Sequence, residues 1–218
     1  MLLRSFDADL SGPRPHVVLE HLEGPRLSTL LRKYGPLPSE QLLPLGVQLC
    51  AAAHYMAAEG VVHLDIKPSN IIMGAPARLI DLSVARTVDE CARLRSGVGT
   101  DSYMSPEQCV PGRGAAVGPP ADVWGIGVTL YRAMSNERPF AKGDPDGTEP
   151  ELRWPQLMEP PIQPEGLRAA LTDPVMSCLA YDPDERPTAH ALFTELEHLV
   201  AKLPKPWLSK MKPRPGRR

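Results

Sequence analysis

The stretch His63-Leu64-Asp65-Ile66-Lys67-Pro68-Ser69-Asn70 constrains this chain more than any other. It sets an acid, a lysine and an amide on one short loop between the apolar pieces Val61-Val62-His63 and Asn70-Ile71-Ile72-Met73. Pro68 fixes its own backbone torsion, so the three polar groups can converge rather than wander. A fold that contains this loop must hold it from both sides with buried structure.

The flanking sequence offers that structure. His16-Val17-Val18-Leu19-Glu20 is a β-branched run bounded by Pro15 and by Gly24-Pro25, which predicts a buried strand. Leu27 to Tyr34 predicts a short helix, with Arg32 and Lys33 in its last turn and Gly35-Pro36 as its stop. Ser39 is placed to N-cap a long helix with apolar positions at Leu42, Leu45, Leu49, Ala53 and Met56, and Gly60 ends it. Ala77-Arg78-Leu79-Ile80 adds a third short apolar piece, giving a hairpin-like cluster of brief strands. Asp81 to Pro120 has little periodicity, and irregular segments of that length are functional or disordered. Helices are predicted over Asp122–Met134, Leu167–Ala180 and Thr188–Leu203, with Pro174 kinking or restarting the second.

Composition narrows the class. The 26 prolines sit mainly at the edges of periodic segments, so they mark loops and sharp helix ends. A net charge of −2 gives no global pull toward nucleic acid or an anionic membrane. The basic tail, 204–218, lacks a folded face or interleaved aromatics, so no nucleic-acid role is expected; it is read as disordered. Cys50, Cys91, Cys109 and Cys178 form no C-x-x-C pair and are expected as buried thiols in a reducing compartment. The N-terminus shows no signal peptide, and Leu42 to Ala58 is interrupted by Pro44, Gln48 and His54. That pattern fits a buried helix better than a membrane span, so the expected location is cytoplasmic.

The polar loop carries the chemistry. Phosphoryl transfer needs a carboxylate to receive a hydroxyl proton, a cation near the moving phosphate and an oxygen ligand for magnesium. The residues 63–70 resemble the catalytic loop of the protein kinase family, and a lysine two places after the acid resembles the serine/threonine branch. The resemblance implies Asp65 as catalytic base, Lys67 as γ-phosphate contact and Asn70 as a magnesium ligand. Sixteen positions after Asp65, Ile80-Asp81-Leu82-Ser83 resembles the kinase Asp-Phe-Gly element, with Asp81 as second magnesium ligand and Ser83 where a glycine is usual.

Gly99-Thr100-Asp101-Ser102-Tyr103-Met104-Ser105-Pro106-Glu107 is similar to the kinase Gly-Thr-x-x-Tyr-x-Ala-Pro-Glu signature, with Ser105 in place of Ala. By that resemblance Thr100 bridges Asp65 and Lys67, and Glu107 pairs with Arg186 of Asp182-Pro183-Asp184-Glu185-Arg186-Pro187. Asp122 of Ala121-Asp122-Val123-Trp124-Gly125-Ile126-Gly127 is either a helix N-cap or, in the kinase pattern, a buried acceptor for the backbone of the catalytic loop. Gly125 and Gly127 let that helix pack closely.

Taken together, the resemblance implies an α+β chain of kinase-like fold: small-lobe remnant strands and a hinge over 1–24, and the helical large lobe over 25–203. Glu20 and Leu22 lie in the connector expected to meet adenine. The implied activity uses ATP and Mg2+ to phosphorylate Ser or Thr of a protein substrate. Two departures stand out. Leu64 occupies a position where many kinases have Arg, so a phosphate on Ser96 or Thr100 is not expected to be needed to order the irregular segment. No Gly-rich loop precedes residue 16, and no Val-Ala-Ile-Lys strand occurs. The chain is therefore read as an N-terminally truncated kinase, with a catalytically impaired, kinase-like interaction module as the alternative. The sequence sets no oligomeric state.

Overall fold

The computed structural model describes residues 2–204. The disordered tail expected over 204–218 lies, apart from its first residue, outside those residues.

Strands β1 (Ser5–Asp9) and β2 (His16–Leu19) form an antiparallel ribbon in which Asp7 faces Val18 and Asp9 faces His16. The expected buried strand is not buried. Every residue of both strands is exposed, and Val17 and Val18 keep 47% and 44% of their surface in solvent. The reason is topological: β2 pairs only with β1 in a two-stranded sheet, so its apolar side chains have no facing layer. The connector that follows joins the helical part of the chain through Met73, whose N–H donates to the Pro25 carbonyl at 2.8 Å.

Helix α1 (Leu27–Tyr34) buries Leu27 and Leu31, four residues apart on one face. Helix α2 (Ser39–Ala58) begins one residue earlier than the Ser39 cap implies. Pro38 holds the cap position, and its carbonyl accepts from the N–H groups of Gln41 and Leu42 at 2.9 Å each. Ser39 is thus the first helical residue, where its hydroxyl cannot cap. Four brief strands follow: β3 (Val61–Val62), β4 (Ile71–Ile72), β5 (Arg78–Leu79) and β6 (Arg86–Thr87). The predicted hairpin holds for β4 and β5, with Ile71 opposite Leu79. β3 instead pairs with β6, inside the segment expected to be irregular.

That segment also contains helices α3 (Val88–Cys91) and α4 (Pro106–Cys109). Each has four residues, too few to leave a periodic signal. Helix α5 (Pro119–Ser135) starts with two prolines, whose missing N–H groups cost nothing in a first turn. Helix α6 (Pro150–Arg153) is one turn. Helix α7 (Ala169–Ser177) is shorter than predicted at both ends and runs through Pro174 without restarting. Helix α8 (Ala189–Ala201) is capped by Thr188, whose hydroxyl accepts from the Ala191 N–H at 3.1 Å.

Helices α2, α5, α7 and α8 enclose one core around Trp124, Tyr131, Leu45, Leu130, Leu192 and Leu196. Trp124 stacks on Phe140 with ring centroids 5.5 Å apart. The expectation for the α5 glycines holds. A Cβ on Gly127 would sit 2.6 Å from the Cys178 Cβ, and one on Gly125 3.2 Å from Ile66. All four cysteines are buried free thiols. Burial pushes the thiol pKa values up, to about 11 for Cys91 and about 12 for Cys178, so they stay protonated at neutral pH. Among the described residues, no helix is long and apolar enough to cross a membrane.

Candidate active site

The polar loop is fixed from below by a buried carboxylate. Asp122 lies one turn into α5, after Gly118 in the cap position and Pro119-Pro120, so it is not the N-cap. Its Oδ2 accepts from the His63 N–H at 2.8 Å and its Oδ1 from the Leu64 N–H at 2.9 Å. Burial pushes this carboxyl up, while His63 and the two N–H donors pull it down. Gly125 lets α5 come close to Ile66, and the Thr129 hydroxyl donates to the Ile66 carbonyl at 3.3 Å.

Leu64 has a left-handed backbone, φ 66°, which is unfavourable for a leucine. Two bonds hold it there: its N–H to Asp122, and its carbonyl, which accepts from Gln108 Nε2 at 3.0 Å. Its side chain is buried with Val62, Cys91, Val117 and Ala121, and Val84, Leu94 and Val98 pack against the same cluster. Strain of this kind persists only where surrounding contacts over-determine the backbone.

Asp65 and its partners form a closed set. Its Oδ2 lies 2.7 Å from Lys67 Nζ and accepts from Asn70 Nδ2 at 3.0 Å. Its Oδ1 accepts from the Thr100 hydroxyl at 2.7 Å, and that hydroxyl accepts from Lys67 Nζ at 2.6 Å. The Asn70 amide donates a second bond to the Asp65 carbonyl, also at 3.0 Å. Thr100 comes from a segment 35 residues away, so the bridge joins two loops across the fold. Thr100 thus contacts both Asp65 and Lys67.

Asp81 is brought to the same corner by the backbone. The Ile80 N–H donates to the Asn70 carbonyl at 2.9 Å, which places the next residue beside the loop. Asp81 itself has φ 71° and is exposed. The Ser83 side chain beside it, the Ser83 N–H at 3.3 Å and the Lys67 charge hold its carboxyl below the usual range, against the opposing effect of burial. The serine that replaces glycine here thus steadies the acid it follows.

Glu107 and Arg186 meet fork to fork, at 2.7 and 2.9 Å, with Arg186 fully buried. The remaining guanidinium donors reach the carbonyls of Ala180, Tyr181 and Pro120, and the plane lies 5.0 Å from the Trp124 ring centroid. Every hydrogen-bonding direction of the buried cation is used, which is what makes its burial tolerable.

Glu20 and Leu22 do not join this cluster. Glu20 is engaged in the ribbon, where its Oε1 accepts from the Arg4 N–H at 2.8 Å, and Leu22 lies half-buried in the connector.

Three contributors escaped the sequence reading as individual roles. His63 Nδ1 accepts from the Asp65 N–H and its Nε2 meets the Ile80 carbonyl, both at 3.3 Å, so one ring links the two acidic loops. Gln108 ties Leu64 to Val98, whose carbonyl accepts from Nε2 at 2.9 Å. Its one sequence signal is the capping-box spacing from Ser105, which the structure also realises. Asp101, beside Thr100, accepts from Arg153 Nε at 3.1 Å and from Trp154 Nε1 at 3.0 Å; no local pattern marks it.

Comparison with known proteins adds an independent line. The family profile described as "Protein kinase domain" matches residues 4–196. The serine/threonine-protein kinase PknB of Mycobacterium leprae (strain TN) is 30% identical over 185 residues, covering 81% of this chain and 29% of that protein. A probable serine/threonine-protein kinase, PkwA of Thermomonospora curvata, is 35% identical over 209 residues, covering 94% of this chain and 27% of its own length. The serine/threonine-protein kinase Pkn1 of Myxococcus xanthus is 33% identical over 201 residues, 86% of this chain and 28% of its own. The chain thus spans under a third of the length of these curated relatives.

Proposed function

The chain belongs to the protein kinase domain family, and from that premise we propose that it transfers the γ-phosphate of ATP, with magnesium, to Ser or Thr of a protein substrate. The observation that carries the proposal is the closed set of Asp65, Lys67, Asn70 and Thr100, with Asp81 beside it.

The donor chemistry suits magnesium bound with a nucleotide. Asn70 spends its amide N–H groups on Asp65, which leaves its oxygen as a neutral ligand. Asp81 supplies an anionic oxygen that stays ionised at neutral pH. Among the described residues, no three His, Cys, Asp or Glu side chains gather into a metal cluster. Magnesium fits such a sparse set, because it takes one or two protein oxygens and completes its shell with phosphates and water. Asn70 and Asp81 would hold the ion, which would offset the negative charge of the phosphates.

The protein's own groups divide the remaining task. Asp65 is the acceptor for the proton of the attacking hydroxyl, and Thr100 and Lys67 orient it by occupying one side of each carboxylate oxygen. Lys67 then shifts from Asp65 toward the transferring phosphate, an exchange of one anionic partner for another. Glu20 and Leu22 are proposed to line the adenine side through the connector. The domain division at residues 24 and 203 is part of the same reading.

The buried setting of Leu64 supports ordering of the irregular segment by apolar packing instead of by a phosphate. Phosphatase treatment is therefore expected to leave activity unchanged, and a phosphate on Ser96 that sharply raised it would contradict this.

A phosphotransfer assay on a general serine substrate tests the whole. Asp65→Asn should lower the rate roughly 10²–10⁴-fold with the fold intact. A second reading is a kinase-like interaction module that does not carry out phosphotransfer. Thermal shift with Mg-ATP separates them, since a ligand bound to the native state raises the midpoint and an idle site leaves it unmoved.

A further inference from the structure

A cavity of about 190 Å³ opens beside the Thr100 turn, lined among others by Asp101, Ser102, Arg138, Lys142, Gly143 and Arg153. Three of these are cations, and one is an acid. Asp101 is already engaged by Arg153, at 3.1 and 3.3 Å, and by the Trp154 indole N–H. Arg138 donates only to the neutral Ser102 hydroxyl, at 3.2 Å. Among the described residues, neither Arg138 nor Lys142 has a carboxylate within 4.0 Å. Asp144, next to lining residue Gly143, is turned into its own loop, where it accepts from the Asp146 N–H at 3.0 Å.

The wall is built rather than loose. A Cβ on Gly143 would fall 1.9 Å from the Arg153 carbonyl, so only glycine lets the two backbones meet there. Gln156 Nε2 donates to the carbonyls of Asp101 and Met104, at 2.8 and 3.1 Å, and fixes the floor. The cavity is also close to the reacting centre. Asp101 follows Thr100 directly, and Thr100 touches Asp65. Burial pushes the Tyr103 phenol's pKa up, and the charges of Arg132, Arg138 and Asp65 also act on it.

We propose that Arg138 and Lys142 form a specificity subsite for an acidic side chain flanking the acceptor Ser or Thr, so the preferred substrates are acidic peptides. This rests on the kinase reading for the acceptor itself. Both cations are exposed, and an incoming carboxylate would exchange water for charge-assisted hydrogen bonds. Opposite potentials also steer encounter and set selectivity.

The test is a binding measurement with the full chain, using a fluorescein-labelled serine peptide flanked by glutamates and its glutamine counterpart. At low ionic strength the glutamate peptide should bind about tenfold more tightly, and added salt should erase the difference. Arg138→Gln with Lys142→Gln should abolish the preference while glutamine-peptide binding is retained, and Lys142→Glu should reverse it. Asp65→Asn should keep it. Equal binding of the two peptides, binding of neither, or a preference that survives both charge-removing variants overturns the subsite. Intact preference without phosphotransfer by the wild-type chain strikes the proposed activity and leaves the subsite standing.

Discussion

Two β-branched segments of nearly the same chemistry meet opposite fates in this molecule. His16-Val17-Val18-Leu19 is exposed along its whole length, whereas Val62 and Ile71 are fully buried. Intrinsic strand preference does not separate them. The difference is what lies opposite: β2 has one partner strand and open faces, while β3 and β4 are roofed by α5, α1 and the catalytic loop. Burial is a property of the neighbourhood, and the large lobe supplies one where the ribbon does not.

The contrast can be broken by substitution, beginning with the strongest tie in the lobe. Arg186→Ala strands Glu107 without its partner and should cost about 3–5 kcal/mol, measured by denaturant unfolding. Ile71→Ala empties a fully buried site and should cost about 2–5 kcal/mol in the same assay. Tyr131→Phe should run the other way. The Tyr131 hydroxyl is buried without a partner, so removing it should be neutral or stabilising by up to about 1 kcal/mol. Val18→Thr in the ribbon should stay within about 0.5 kcal/mol of the wild type. A loss at Val18 as large as that at Ile71 would show that the ribbon is covered in solution and would remove the contrast.

The polar loop was legible because its residues meet through fixed sequence spacing. Asp65, Lys67 and Asn70 fall within one loop, and their geometry follows once Pro68 and the flanking strands hold it. Long-range ties such as Thr100 to Asp65 or Glu107 to Arg186 came only through likeness to a family, since each residue alone reads as solvated. Gln108 and Asp101 show what remained hidden. Their roles depend on carbonyls and side chains 10 to 53 residues distant, and no periodicity records such a meeting. The ribbon was misread for the complementary reason. An apolar run announces a wish for cover, and the cover has to be found elsewhere in the chain. Asp122 was left between cap and anchor because both roles place an acid near a helix start, and only the two prolines ahead of it decide the matter.

The Glu107–Arg186 clasp also sets an order of events during synthesis. The two residues are 79 positions apart, so a ribosome-bound chain that has emerged only as far as Pro120 still lacks the guanidinium that its glutamate requires. Until Arg186 emerges, the loop bearing Thr100 lacks its buried ion pair at that end. The lobe therefore matures late, in a single closing step, and a nascent chain halted before that point should remain open to protease in this loop while its α2 helix is already formed.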